Sequence, residues 1–187
     1  MYNITIVGAG LAGSLLSVYL AKKGYDVNIF ERRQDMRLSD TGGGKSINLA
    51  LSTRGIHALK EVGLYEEVKK ISIPMFGRMI HSLDCELTFQ RYGKDDSEYI
   101  NAVSRGELNK KLLDLADKYS NVKIHFNERC SSADFNNTSI VFHNELNGES
   151  KTVSSDAVIA TDGATSAVRL EMMKIPRFNF SQVYENY

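Results

Sequence analysis

The run Asn3-Ile-Thr-Ile-Val7, followed at once by Gly8-Ala-Gly10-Leu-Ala-Gly13, decides how this chain folds. A short β-branched strand that breaks into glycines spaced GxGxxG and then into a helix is the opening of a dinucleotide-binding unit. Each glycine has its own task. Gly8 permits the tight turn, Gly10 lets the backbone approach a pyrophosphate, and Gly13 lets helix and strand pack closely. The helix start, with the N–H groups of Leu11 and Ala12 and the positive end of the dipole, favours phosphate. Leu11, Leu15, Val18 and Tyr19 keep helical spacing up to Lys23, and Gly24 stands where a C-terminal cap belongs. Val27 to Phe30 is a second strand, ending at Glu31, 18 residues past Gly13. A carboxylate there accepts ribose hydroxyls and repels a 2′-phosphate, so the pocket suits NAD or FAD rather than NADP, despite the adjacent Arg32 and Arg33.

Outward from this core, residues 32–46 are polar and glycine-rich and read as a loop. Gly44-Lys45-Ser46 imitates the tail of a triphosphate-binding loop, but the required first glycine is Ser39 and an extended run follows. Ile47 to Leu51 reads as extended and Thr53 to Val62 as a helix closed by Gly63. Met75 to Ile80 and Glu86 to Arg91 alternate like an antiparallel pair. Ser104 with Glu107 forms a capping box for a helix whose face is Leu108, Leu112, Leu115 and Tyr119. Val122, Ile124 and Phe126 alternate as a strand, and residues 133–153 read as a hairpin or meander turning near Asn147-Gly148. The aromatic, alternating end from Phe178 to Tyr187 stops without turn or cap, as if the chain were cut.

A second chemical signal lies at Ala157-Val-Ile-Ala-Thr161-Asp162-Gly163, a buried strand running into an acidic turn, with Ser166 and Arg169 trailing into a short helix. Asp-Gly alone is a common turn. Ser166 and Arg169 at set offsets, in a chain that already has a dinucleotide fold, point further.

Composition removes other classes. The 187 residues carry 23 basic and 23 acidic side chains, so no electrostatic footprint for nucleic acid exists. No apolar run reaches the roughly 20 residues of a membrane span, and a strand this near the first residue is expected to leave no room for a leader. Cys85 and Cys130 have no CxxC spacing, which suits packed thiols and a reducing, cytoplasmic setting. His57, His81, His125 and His143 show no metal-type pairing, so no metal site is expected.

The glycine turn with an acid ending the second strand, plus the Asp-Gly motif with trailing Ser and Arg, resembles the FAD-dependent aromatic hydroxylases. Within them, Gly44-Lys-Ser-Ile-Asn-Leu-Ala-Leu-Ser52, Ile73-Pro-Met-Phe-Gly-Arg78-Met-Ile-His81, Tyr92-Gly93 and Val103-Ser-Arg105-Gly-Glu-Leu-Asn109 resemble the kynurenine-hydroxylating branch. The resemblance implies bound FAD, NADPH as co-substrate, dioxygen, and L-kynurenine converted to 3-hydroxykynurenine, a step of tryptophan degradation and possible entry to NAD biosynthesis. It implies FAD contacts at Glu31, Arg32, Ala50 and Arg105, near Cys130, and at Asp162 and Gly163. Arg78 and Tyr92 would hold the amino-acid end of the substrate, a guanidinium fork suiting a carboxylate. No catalytic side chain is implied, because the flavin carries the oxygen chemistry while the protein positions the ring and excludes water. One departure is Thr161, where the family carries alanine, a change the turn is expected to tolerate. The family's second half, with its GD motif, is absent from this sequence, so the chain is expected to be an inactive N-terminal portion.

The expected architecture is α/β: a Rossmann-like FAD-binding domain with a parallel sheet, over 1–73 and 101–177, interrupted by a mostly antiparallel substrate-domain sheet over 74–100 and 178–187. Two other readings stay open on the residues alone. One is a related flavoprotein hydroxylase or reductase with another substrate; the other is a non-catalytic nucleotide-binding module.

Overall fold

A computed structural model describes residues 2–38 and 47–181. The Gly44-Lys45-Ser46 segment and residues 182–187 lie outside the described residues. In chain order the elements are β1 (Asn3–Val7), α1 (Leu11–Lys22), β2 (Asp26–Phe30), β3 (Asn48–Leu51), α2 (Thr53–Glu61), α3 (Tyr65–Lys70) and β4 (Ile73–Met75). Then come β5 (Gly77–His81), β6 (Leu87–Arg91), β7 (Ile100–Ser104), α4 (Arg105–Ala116), β8 (Val122–His125) and β9 (Glu128–Asp134). The chain continues through β10 (Ser139–Asn144), β11 (Ser150–Ser154), β12 (Ala157–Ala160) and α5 (Ala167–Met172). The described residues fall into two compact units, 2–38 with 116–181, and 47–115.

The first unit is built on a parallel sheet in the order β12-β1-β2-β8. Ile4, Ile6, Val27 and Ile29 are buried, as β-branched side chains on a pleated sheet should be. Helix α1 packs on this sheet, but not with the face its leucines suggest. Its buried residues are Gly13, Ser14, Ser17, Val18 and Ala21, while Leu11, Leu15 and Tyr19 are half-exposed. The reason is Gly13: a Cβ there would collide with the Gly8 carbonyl, so helix and strand are in near contact and only small side chains fit between them. Ser14 and Ser17 satisfy their hydroxyls locally, on the carbonyls of Ala9 (3.0 Å) and Ser14 (2.7 Å). Gly24, at φ +84°, ends α1 with its N–H on the Ala21 carbonyl.

The predicted meander is a three-stranded antiparallel sheet, β11-β10-β9. It packs its Cys130, Ile140 and Phe142 against Val7 and Phe30 of the parallel sheet and Val168 of α5. Phe30 stacks on Phe142 at 4.0 Å and on His125 at 4.5 Å. Strand β12 is half-buried rather than buried, because it is the sheet's edge. Residues 178–181 form no strand, unlike the extended tail expected there.

The second unit holds a three-stranded antiparallel sheet, β3-β7-β4, and a separate hairpin, β5-β6. Two of its elements, α3 and β7, are not evident from the sequence pattern. Helix α3 has six residues with a single buried side chain, Val68, too few to display a period. Half of the expected capping box forms: Ser104 Oγ accepts from the Glu107 N–H at 3.4 Å, and the Glu107 carboxylate turns to Lys110 instead.

Candidate functional site

The glycine turn sits where the ends of three strands meet. Gly8 is at φ +99°, and a Cβ on it would come within 2.8 Å of the Thr161 carbonyl, so only glycine fits. Its N–H donates to the Phe30 carbonyl at 2.8 Å, and the Thr161 N–H donates to the Val7 carbonyl at 2.8 Å. Gly10, by contrast, has nothing within 4 Å of a would-be Cβ. Open space therefore lies before the first turn of α1, where N–H groups lack intrahelical partners. That is the cradle a diphosphate needs, and a side chain at Gly10 would fill it.

The Glu31 carboxylate is tied to this turn. Its Oε2 accepts from the Ala9 N–H at 2.9 Å and its Oε1 from the Arg33 N–H at 3.0 Å. Each oxygen keeps a lone pair, so the group can still accept ribose hydroxyls. Arg32, beside it, is exposed.

The Asp-Gly motif is at the other side of the turn. Asp162 Oδ2 accepts from the Ala167 N–H at 2.7 Å, and Ser166 Oγ from the Arg169 N–H at 3.0 Å, so both side chains cap α5. Arg169 donates to the Ala164 carbonyl and lies over the Phe180 ring. The offsets of Ser166 and Arg169 therefore have a structural cause: they fasten the turn in which Gly163 adopts φ +83°. Cys130 is buried beside this helix. Burial, with the Asp162 and Glu171 carboxylates nearby, pushes its thiol up to about 11, which leaves it inert as a nucleophile. Cys85 is not packed as expected; it is exposed at φ 63° in the tip of the β5-β6 hairpin.

The remaining predicted residues belong to the second unit. Ala50 in β3 pairs with Ala102 of β7 and is exposed. Arg105 opens α4, exposed, its N–H on the Ile47 carbonyl at 3.1 Å. Arg78 pairs across the hairpin with Gln90, and the Tyr92 N–H extends the ladder to the Phe76 carbonyl at 3.0 Å. Arg78 and Tyr92 thus stand diagonally on one face of the hairpin, a separation of about 7–8 Å. On that face Arg78, Ile80 and Gln90 are all exposed. Arg78 Nε donates to Gln90 Oε1 at 2.8 Å, a neutral partner that fixes the guanidinium and leaves its terminal nitrogens to an anion. Tyr92 also lines an open depression with Tyr65, Glu98, Tyr99 and Asn101.

One contact escapes sequence reasoning altogether. The Thr161 hydroxyl lies 2.8 Å from the Gly8 carbonyl and 3.0 Å from that of Val7. Its only signal in the sequence is a hydroxyl where alanine is usual.

Among the described residues, no helix is long and apolar enough to cross a membrane. Among known proteins, the chain is 49% identical over 180 residues to the kynurenine 3-monooxygenase of Myxococcus xanthus, covering 96% of this chain and 39% of that one. It is 42% identical over 182 residues to the enzyme of the same name from Anopheles gambiae, covering 97% and 37%. Its fold is similar to that of the flavin-dependent monooxygenase PieE, solved with FAD and substrate, at a TM-score of 0.77 and 17% identity, over 92% of this chain and 32% of that one. The chain thus spans about two-fifths of the length of the curated relatives it matches. The FAD binding domain family matches residues 1–186, and this chain belongs to it.

Proposed function

We propose that the protein carrying this chain is an FAD-dependent monooxygenase that converts L-kynurenine to 3-hydroxykynurenine with NADPH and dioxygen. The observation that carries the cofactor is the Glu31 carboxylate held on the glycine turn by the Ala9 N–H, beside the open cradle at Gly10. The substrate rests on the likeness to kynurenine 3-monooxygenases at up to 49% identity.

In this reading the N–H groups of Leu11, Ala12 and Gly13 face the diphosphate, with Gly8 and Gly10 giving it room. Glu31 accepts the ribose hydroxyls, Arg32 flanks them, and the backbone at Cys130 borders the adenine. Asp162 and Gly163 form the opposite wall. When bound, FAD supplies the two-electron and dioxygen chemistry that no side chain here can supply. Arg78 takes the substrate carboxylate through its terminal nitrogens, Gln90 holds that guanidinium in orientation, and Tyr92 adds a hydroxyl hydrogen bond. Residues 74–100 belong to the layer that holds the substrate. These residues bind and orient, and proximity raises the rate only if the ring is held in place.

The test compares kynurenine with its decarboxylated analogue, kynurenamine, in the intact enzyme. Wild type should prefer kynurenine, and Arg78→Ala should lose about 10- to 150-fold in affinity together with most of that preference. Arg78→Lys should recover only part, since an ammonium lacks the planar fork. Equal discrimination by wild type and Arg78→Ala removes Arg78 from the substrate site.

A further inference from the structure

The peptide plane between Gly8 and Ala9 is gripped at both ends. Its N–H, that of Ala9, donates to Glu31 Oε2 at 2.9 Å. Its carbonyl, that of Gly8, has the Thr161 hydroxyl at 2.8 Å. In a trans peptide the N–H and C=O point in opposite directions, so a pull on both ends fixes the plane's rotation. The hydroxyl also lies 3.0 Å from the Val7 carbonyl, but that carbonyl already accepts the Thr161 N–H at 2.8 Å. A hydroxyl has one proton to give. Gly8 is buried, and among the described residues its carbonyl has no other donor, so the proton belongs there. The same carbonyl lies under Gly13, where a Cβ would strike both it and the Thr161 hydroxyl.

We propose that Thr161 is a positioning residue for the cofactor: its hydroxyl and the Glu31 carboxylate together set the Gly8–Ala9 peptide plane, and hence the direction in which Gly10 and the start of α1 meet a diphosphate. The proposal rests on the FAD reading of this turn. It makes two residues 130 positions apart in the chain one device. Alanine at 161 leaves the plane held from one end only; valine leaves it so and places a methyl group against the carbonyl.

The experiment measures FAD affinity by flavin fluorescence quenching on the intact apoprotein, with the apoprotein's melting temperature alongside. Thr161→Val should weaken FAD about 10-fold, the value of one lost hydrogen bond to a buried carbonyl. Thr161→Ser, which keeps the hydroxyl, should stay within about twofold of wild type. In a Glu31→Ala background the Thr161→Val penalty should shrink to about twofold or less, because the plane is already free at its other end. Should Thr161→Val not fold, Thr161→Ala removes the same hydroxyl without the added methyl and is read by the same criteria. An undiminished penalty in the Glu31→Ala background, tracking the fall in melting temperature, shows a merely structural threonine and overturns the proposal. So does wild-type affinity in Thr161→Val, or failure of serine to restore binding. Wild-type protein that binds no FAD at all overturns the FAD reading itself, a distinct result.

Discussion

At the glycine turn, the ends of β1, β2 and β12 meet within hydrogen-bond distance, and the N–H groups of Gly8, Ala9 and Thr161 and the carbonyl of Gly8 each have a partner. Along the β5-β6 hairpin the two strands pair with one another and every residue from 78 to 91 is exposed, Leu87 at 61% and Phe89 at 50%. Both regions are predicted to bind something. The first does so by backbone geometry that the chain itself determines; the second offers side chains on a frame whose two faces are uncovered. A diphosphate can be recognised by a turn alone, since its partners are N–H groups. A small amino acid needs enclosure, since its ring must be desolvated and aligned.

The sharpest test of this contrast is at Gly13. Gly13→Ala drives a Cβ into the Gly8 carbonyl, a backbone atom that cannot swing aside, and should cost about 3 kcal/mol in urea unfolding. Gly10→Ala should change stability by less than about 0.5 kcal/mol, since its Cβ meets nothing, yet weaken FAD measurably by filling the cradle. If both variants only destabilise, the two glycines do not divide the work. Glu31→Ala should come next, weakening FAD by about 1.5–3 kcal/mol by the same titration. On the hairpin the sign reverses. Leu87→Ser with Phe89→Ser should leave the stability of the 187-residue chain within about 0.5 kcal/mol while reducing its self-association in sedimentation, because those side chains contribute to no core. The same chain alone should hold FAD weakly and show no kynurenine-dependent NADPH oxidation.

The smallest effect is a pH dependence of the first unit. Burial, helped by the charge of Lys151, holds the His125 imidazole below its usual 6.5. Between the folded and unfolded values the unfolded chain binds more protons, so stability is full above about pH 6.5 and declines as the pH falls through it. Glu128 acts the same way at lower pH. Burial opposes its ionisation, but hydrogen bonds from Lys151 and Asn144 outweigh that and hold the carboxyl below the usual range. Its contribution is present above the unfolded pKa and is lost as pH falls through the folded one. His125→Phe keeps a ring beside Phe30 and removes the titration, so it should flatten the melting temperature between pH 7 and 5 by an amount worth less than about 1 kcal/mol.

The parallel sheet and its glycine turn were legible because strand, turn and acid are close in sequence and each is constrained by local geometry. The wrong face of α1 was read for the opposite reason. Leucine spacing reports where apolar bulk lies, while the packing obeys the near contact at Gly13, which puts the small Ser14, Ser17 and Ala21 on the buried face beside Val18. Strand β7 escaped because its pairing partners, β3 and β4, are distant segments that no window shows together. Ser166 and Arg169 were legible as offsets but not as fastenings of the start of α5, and Thr161 only as a departure from alanine, since its partner follows the neighbouring strand β1, far away in sequence. Arg78 and Tyr92 were found through resemblance. Period two supplied the neighbours of Arg78 but could not say whether its face would be covered.

The strand order carries a consequence for synthesis. Strand β1 has β2 beside it within about twenty residues, but its other edge waits for β12, whose Ala160 pairs with Val7. At about 5–20 residues per second, that edge stays bare on the ribosome for roughly 8 to 30 seconds. During that interval the nascent chain carries a half-made turn: Glu31 is already in reach of Ala9, whereas the Gly8 carbonyl still faces water. The nucleotide site therefore closes late, and an unpaired β1 edge is what a chaperone would have to shield until it does.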